Sequence, residues 1–324
     1  MLVSVLTGCW AHGPGNHSPT LQSPIFQNRL CSLHSDTPSI ALALLAALLF
    51  SLGNQTSRRA LDYAPPSQVT LYQIGVSVCI YWVAAPFYMK TAYWLSPAVL
   101  FLAAAGLMRP LVSANLGTIG TRILGPTISS TMSACGPLLS VTLAVVFLSE
   151  TLHWQTAVGT AGIVTSIVVL SWRGNARPDW PLWALIFPVG AALIRAASHT
   201  LAKLGLEYIP SPVFVALVAY SVSFPLAYLY HRSRQRRQTT STAAVSRTGI
   251  YWMIFSGSFY GIAVLALNTA LLWSDLVVVS PIVACTPFFT MILGIWVFRE
   301  VQIDRRAIIA VALVVPSVIL IGLR

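Results

Sequence analysis

A chain of 324 residues that is 56% hydrophobic and only 8% charged stands far from the roughly 25% charged residues of a soluble domain. A mean hydropathy of +0.76, spread over many separate apolar runs, means a polytopic membrane protein. The net charge of +11 and pI near 9.9 do not signal nucleic acid, because most basic residues lie in short loops between apolar segments, where positive-inside bias puts them.

Residues 1–37 are polar, contain Pro14, Pro19 and Pro24, and show no helical period, so a disordered tail is expected. The opening run lacks a basic region and is too short to span, which argues against a signal peptide. From Ser39 onward ten apolar segments follow, at about 39–57, 67–89, 95–118, 126–148, 155–172, 181–203, 211–230, 249–272, 277–298 and 306–323. Each is judged against the roughly 20 residues a helix needs to span. Aromatics near segment ends, including Tyr81, Trp82, Tyr88, Trp94, Tyr228, Tyr230, Trp252 and Trp273, fit interfacial belts. The loops are too short for a soluble domain.

One stretch occurs twice. Residues 134–150 read ACGPLLSVTLAVVFLSE and residues 284–300 read ACTPFFTMILGIWVFRE, so Cys135/Cys285, Pro137/Pro287 and Glu150/Glu300 pair at an offset of 150. Asn54, Arg58, Asp62, Tyr63 and Pro65 likewise match His199, Lys203, Glu207, Tyr208 and Pro210 at an offset of 145, with the polar stretch 231–248 absorbing the difference. A repeat of half the chain is too long for a solenoid and suits a transporter built from two duplicated halves. Five segments per half is an odd number, so one half lies upside down relative to the other. The expected fold is an all-α integral membrane protein with ten transmembrane helices in two inverted five-helix repeats, residues 38–174 and 175–324. Its binding place is the midplane between them. Loops after odd-numbered segments hold thirteen basic residues, among them Arg58, Arg59, Arg232, Arg234, Arg236 and Arg237, against four on the other side. By charge, both termini face away from the cytoplasm.

With its duplicated Pro-x12-Glu segments, Pro137 to Glu150 and Pro287 to Glu300, the sequence resembles the drug/metabolite transporter superfamily, EamA type. Gly159 and Gly162 after the first copy, and the run Ala266 to Ala270 before the second, add to the likeness, which covers about residues 39–324. The resemblance implies transport of small metabolites such as amino acids, other organic anions or drugs. It also implies cytoplasmic termini, opposite to the charge count.

No metalloprotease, nucleophile-elbow or phosphate-loop motif is present, and the five cysteines form no metal spacing, so neither cofactor nor metal is expected. Arg195 lies well inside the sixth segment, with His199 one turn on and Lys203 one turn further on the same face. A charge near the bilayer centre is costly and by default marks a pathway. Arg109 lies inside the third segment directly before Pro110, where a broken helix can line a polar cavity. Asn54, Asn115, Asn268, Gln73 and Tyr260 are uncharged polar groups within apolar segments, able to bind substrate or a neighbouring helix. Pro137 and Pro287, read as helix-interior prolines, are expected to bend their helices as paired hinges. Glu150 and Glu300 are read as helix-end partners, beside His153 and Arg299. Gly257 and Gly261 could let helices pack closely.

None of the eight acidic residues lies deep in an apolar segment. Buried cations without buried acids favour a substrate bearing a carboxylate or phosphate. The expectation is therefore a secondary transporter, an exporter in a bacterial inner membrane, moving a small organic anion or zwitterion such as an amino acid. Its partners are that small molecule, the lipid bilayer and a coupled proton carried by His199, with no nucleic acid. The alternatives are an exporter of amphipathic drugs and a membrane-embedded enzyme working through Glu150 and His153.

Overall fold

The computed structural model of the protein describes residues 36–109, 111–171, 182–237, 246–296 and 305–323. The expected tail and Glu300 therefore lie outside the described residues, apart from positions 36 and 37. The described residues form twelve α-helices and no strand: α1 (Asp36–Leu61), α2 (Pro66–Tyr88), α3 (Ala98–Met108), α4 (Leu111–Ser133), α5 (Gly136–Leu148) and α6 (Trp154–Ser171), then α7 (Ile186–Tyr208), α8 (Pro212–Arg237), α9 (Arg247–Trp273), α10 (Leu276–Val283), α11 (Thr286–Trp296) and α12 (Arg305–Gly322).

Large apolar side chains face outward throughout, with Val83 73%, Phe87 83% and Leu100 74% exposed. Such a surface would be a severe liability in water and is the ordinary outer face of a protein dissolved in lipid. Among the described residues six stretches are long and apolar enough to cross a membrane: Pro38–Leu61, Pro66–Tyr88, Trp183–Tyr208, Pro212–Arg236, Arg247–Trp273 and Leu276–Gly294. Four apolar helices are shorter: Ala98–Met108, Gly136–Leu148, Trp154–Val169 and Ile308–Gly322.

The third and fourth expected spans are where the fold departs from the hydropathy reading. α3 ends at Met108, and Arg109 is extended, at φ −126° and ψ 150°. A residue followed by proline is biased out of the helical region, and Pro110 follows. α4 then runs unbroken from Leu111 to Ser133, across the expected loop at 119–125, and α5 begins at Gly136. In the second half the matching residues behave differently. α9 is continuous to Trp273, and a break at Ser274–Asp275 sets off the short α10.

Pro137 and Pro287 are not interior prolines. The helix breaks come first, at Ala134–Cys135 and Ala284–Cys285, and each proline is the second residue of the new helix. There it costs no hydrogen bond, because the first N–H groups of a helix have no internal partner. Tyr81 also departs from expectation. It is no belt residue but fully buried, and its hydroxyl donates to Gly261 O at 3.0 Å.

The closest packing runs between the halves. α1 lies along α9, α2 along α8, α3 and α4 along α7, and α6 along α12. Gly257 and Gly261 serve this packing within the chain. From α2, Ser77 Oγ donates to Gly257 O at 3.0 Å, and Gln73 Nε2 donates to Ser256 Oγ at 2.7 Å. A Cβ on Gly257 would lie 2.8 Å from Val76 Cβ and 3.1 Å from the Gln73 backbone. Ser67 Oγ meets His231 Nδ1 at 3.0 Å. That contact sets the ends of α1 and α8, with Arg58, Arg59, Arg232, Arg234 and Arg236, on one face of the molecule.

Replacing Gly257 by leucine is expected to lower unfolding stability by about 1–3 kcal/mol through overpacking. The thermal midpoint of the purified protein in detergent measures it.

Candidate functional site

The polar interior residues converge on one cavity of about 730 Å³ between the halves, within the range of small-molecule sites. Its wall pairs positions that are equivalent in the repeat: Phe50 with Arg195, Asn54 with His199, Ser133 with Val283, Pro137 with Pro287, and Ser140 with Thr290. Of the eight expected binding residues, six line it: Arg109, Arg195, His199, Asn54, Gln73 and Tyr260. Both expected hinge prolines line it as well.

Two of the eight do not. Asn268 is 4% exposed, and its side-chain nitrogen donates to Pro212 O at 3.3 Å, tying α9 to the start of α8. Asn115 on α4 is half-buried outside the lining. An asparagine in an apolar helix finds either a ligand or a neighbour, and the sequence carries no sign of which.

The wall is divided by charge. At one end Arg109 Nη1 donates to His199 Nε2. Arginine can only donate, so Nε2 carries no proton in this arrangement and the ring proton sits on Nδ1. Nδ1 is buried without a partner among the described residues. Arg195, two turns before Lys203 on α7, lines the same cavity and has no hydrogen-bond partner among the described residues. No lining residue among those described is acidic.

The opposite wall is neutral and aromatic. Tyr260 donates to Asn54 Oδ1. Its ring lies 5.9 Å from that of Phe50 and rests on Gly53, where a Cβ would approach it to 2.9 Å. Gln73 reaches the cavity, but its amide nitrogen donates to Ser57 Oγ at 2.9 Å and Ser256 Oγ at 2.7 Å, so much of its role is to join α1, α2 and α9. Tyr220, Ser140 and Thr290 also line the cavity and were not singled out by sequence. Tyr220 carried a usable signal, since it sits mid-segment while most aromatics of this chain cluster at segment ends. Ser140 and Thr290 carried another, because they occupy equivalent places in the doubled stretch.

Arg109 reaches the cavity because its helix stops. The Ser223 hydroxyl on α8 lies against the two carbonyls freed there, Gly106 O and Arg109 O, and its one proton is shared between them. A Cβ at Gly106 would lie 2.3 Å from Ala219 O, so α3 and α8 touch backbone to backbone at this point.

Glu150 does not pair with His153, which is exposed. Both its oxygens accept backbone N–H groups instead, from Leu276 at 2.9 Å and Val277 at 2.8 Å. Burial pushes its carboxyl above the ordinary range, while these two N–H groups and Lys203 pull it back down. The Glu150–His153 pairing on which an enzymatic reading rested does not form.

Residues 37–172 and 182–323 each match the EamA-like transporter family. No curated protein matches the chain. Among solved structures 29 chains match. One of them, a crystal structure, superposes on 89% of this chain and 97% of its own length, with a TM-score of 0.74 at 15% identity, a likeness of fold alone.

Ser223→Ala leaves two carbonyls at the α3 end without their donor and is expected to cost about 1–3 kcal/mol. Ser221→Ala, which removes only the exposed contact with Trp82, should stay within about 0.5 kcal/mol. Unfolding midpoints of the two variants measured side by side check this.

Proposed function

Since the chain belongs to the EamA-like transporter family, we propose that it exports a small organic anion or zwitterion, such as an amino acid, by alternating access between two inverted halves. The halves are residues 38–174 and 175–324. The observation that carries the substrate class is Arg195, a cavity-facing guanidinium with neither a hydrogen-bond partner nor an acid in the cavity wall among the described residues. A carboxylate there gains charge-assisted, bidentate hydrogen bonds. A cation would meet two arginines and nothing to balance it.

His199 holds Arg109: while Nε2 accepts from Arg109 it cannot take a proton, and it becomes open to one once Arg109 leaves for the substrate. Holding Arg109 leaves a buried donor on Nδ1 unsatisfied. An anion that draws Arg109 towards itself relieves that arrangement, so the contact is suited to a site waiting for an acceptor.

What supports alternating access is the unlike conformation of equivalent positions in the two halves. Residues 276–283 form a separate short helix, whereas their counterparts at 126–133 continue α4 without a break. Two halves of one design held in different conformations are what a transporter needs if exchanging those conformations is to move its open end. The arginine-bearing face is assigned to the cytoplasm by the charge rule.

A second reading, export of amphipathic drugs, draws on the Phe50–Tyr260 wall and makes Arg195 structural. Wild type and Arg195→Ala, expressed at matched membrane levels, separate the two when extracellular and intracellular metabolites are compared without preselection. One anionic or zwitterionic species should shift with wild type, and its transport should fall about 10–100-fold in the variant, as expected for a lost hydrogen bond to a charged group. Equal transport by both proteins removes the anion reading. No shifted species with either protein removes metabolite export.

A further inference from the structure

The chain leaves α5 through Ser149, which adopts a left-handed conformation at φ 53° and ψ 30°. That turn carries Glu150 inward, where it is 8% exposed. Its two oxygens take the N–H groups of Leu276 and Val277, the first two residues of α10. Those are groups that a helix start cannot satisfy by itself, at the end where negative charge is favoured.

The other side of the same joint is held by Lys203. Its ammonium donates to Leu271 O at 2.6 Å and to Ser274 O at 2.8 Å, the carbonyls released where α9 ends. Two opposite charges from two different helices therefore clamp the break between α9 and α10. Asp275 lies close enough to oppose Glu150, and Lys203 close enough to favour it.

The clamped element, α10, is buried along its whole length from Leu276 to Val283 and ends at the cavity, which Ser280 and Val283 line. Both clamping residues are also carried by cavity walls. Lys203 is one turn beyond His199 on α7, and Glu150 follows directly on the end of α5, the helix whose start holds Pro137 and Ser140. α9 begins at the arginine-bearing face and runs 27 residues, about 40 Å, so the clamp lies at the opposite face. Towards the arginine-bearing face the cavity reaches Asn54 and Thr70, near the end of α1 and the start of α2.

We propose that Glu150 and Lys203 are positioning residues that latch α10 as the plug closing the cavity at the face away from the arginines, and that releasing this latch opens that face. The inference rests on the alternating-access reading. The latch suits a two-state device. While the end is dry, breaking it strands two charges and four backbone groups without partners, which is costly. Once water enters, the same groups are hydrated and the open state becomes accessible. A cap that merely stabilised the fold would weaken the protein on removal without changing which face reaches the cavity.

The test is a single-cysteine reporter at Ser140, in full-length protein whose five native cysteines are replaced by alanine. It is labelled with a membrane-impermeant thiol reagent in right-side-out and inverted vesicles. The parent should label from the arginine-bearing face only. Glu150→Gln and Lys203→Gln should each raise labelling from the opposite face by about ten-fold or more, a modest shift between two states, and Lys203→Arg should restore the parent pattern. Unchanged one-sided labelling in variants that remain folded and monodisperse sinks the latch and leaves alternating access standing. Labelling of the parent from both faces alike, or from neither, instead removes the alternating-access reading. Amide exchange in the unsubstituted protein covers the case in which the variants do not fold. Leu276 and Val277 should exchange well before global unfolding, and exchange only through global unfolding overturns the proposal.

Discussion

Inside a bilayer no water reaches a broken helix, so each backbone group released by a break needs a partner supplied by the protein. This chain breaks its helices at Arg109, at Ala134–Cys135, at Ser274–Asp275 and at Ala284–Cys285, and the architecture follows from how those breaks are answered. Ser223 on α8 takes the carbonyls at the first. Lys203 and Glu150 take the carbonyls and N–H groups at the third. At the second and fourth, a proline in the first turn removes one N–H that would otherwise need an acceptor. The partners at the first and third breaks come from distant helices, so each break also fixes a helix–helix contact.

The same breaks create the cavity. Ending α3 early turns Arg109 into the space between the halves, and ending α4 and α10 at the Ala-Cys pairs brings two backbone turns into its wall. Irregular backbone at membrane depth is tolerated where it lines such a space. The pseudo-symmetry of the wall then makes its asymmetry informative. Where one half places Phe50 and Asn54, the other places Arg195 and His199, so one scaffold presents a neutral aromatic side and a cationic side to one ligand. In the proposed reading that division favours an anion with an apolar body over a cation.

Close packing between the halves includes two seams built on small residues. Gly257 and Gly261 seat α2 on α9 through the backbone, and Gly159 and Gly162 seat α6 on α12 against Ser317 and Ile321. With no hydrophobic drive between helices in lipid, small residues and interhelical hydrogen bonds hold such pairs. The α9–α10 joint is held differently, by charged side chains. Charged contacts release when water arrives, whereas packed glycine seams do not.

Much of this protein was legible without coordinates. Composition placed it in a membrane, the offset of 150 exposed the duplication, and Arg109, Arg195 and His199 stood out because a charge in an apolar run has few harmless explanations. These are local or periodic properties, and a sequence displays them directly. Which way a polar residue faces was not legible. Several helices are apolar all round, so nothing in their pattern distinguishes Asn54, which meets the cavity, from Asn268, which meets Pro212. Nor does hydropathy see that α4 runs on past its expected loop at 119–125, since Gly120, Arg122 and Gly125 lower the apolar character of that stretch without by themselves ending a helix. Glu150 shows the limit most clearly. Its place at the end of a repeated segment was visible in the chain, but its partners lie 126 and 127 residues away. Only the packing of α5 against α10 brings that carboxylate to two waiting N–H groups.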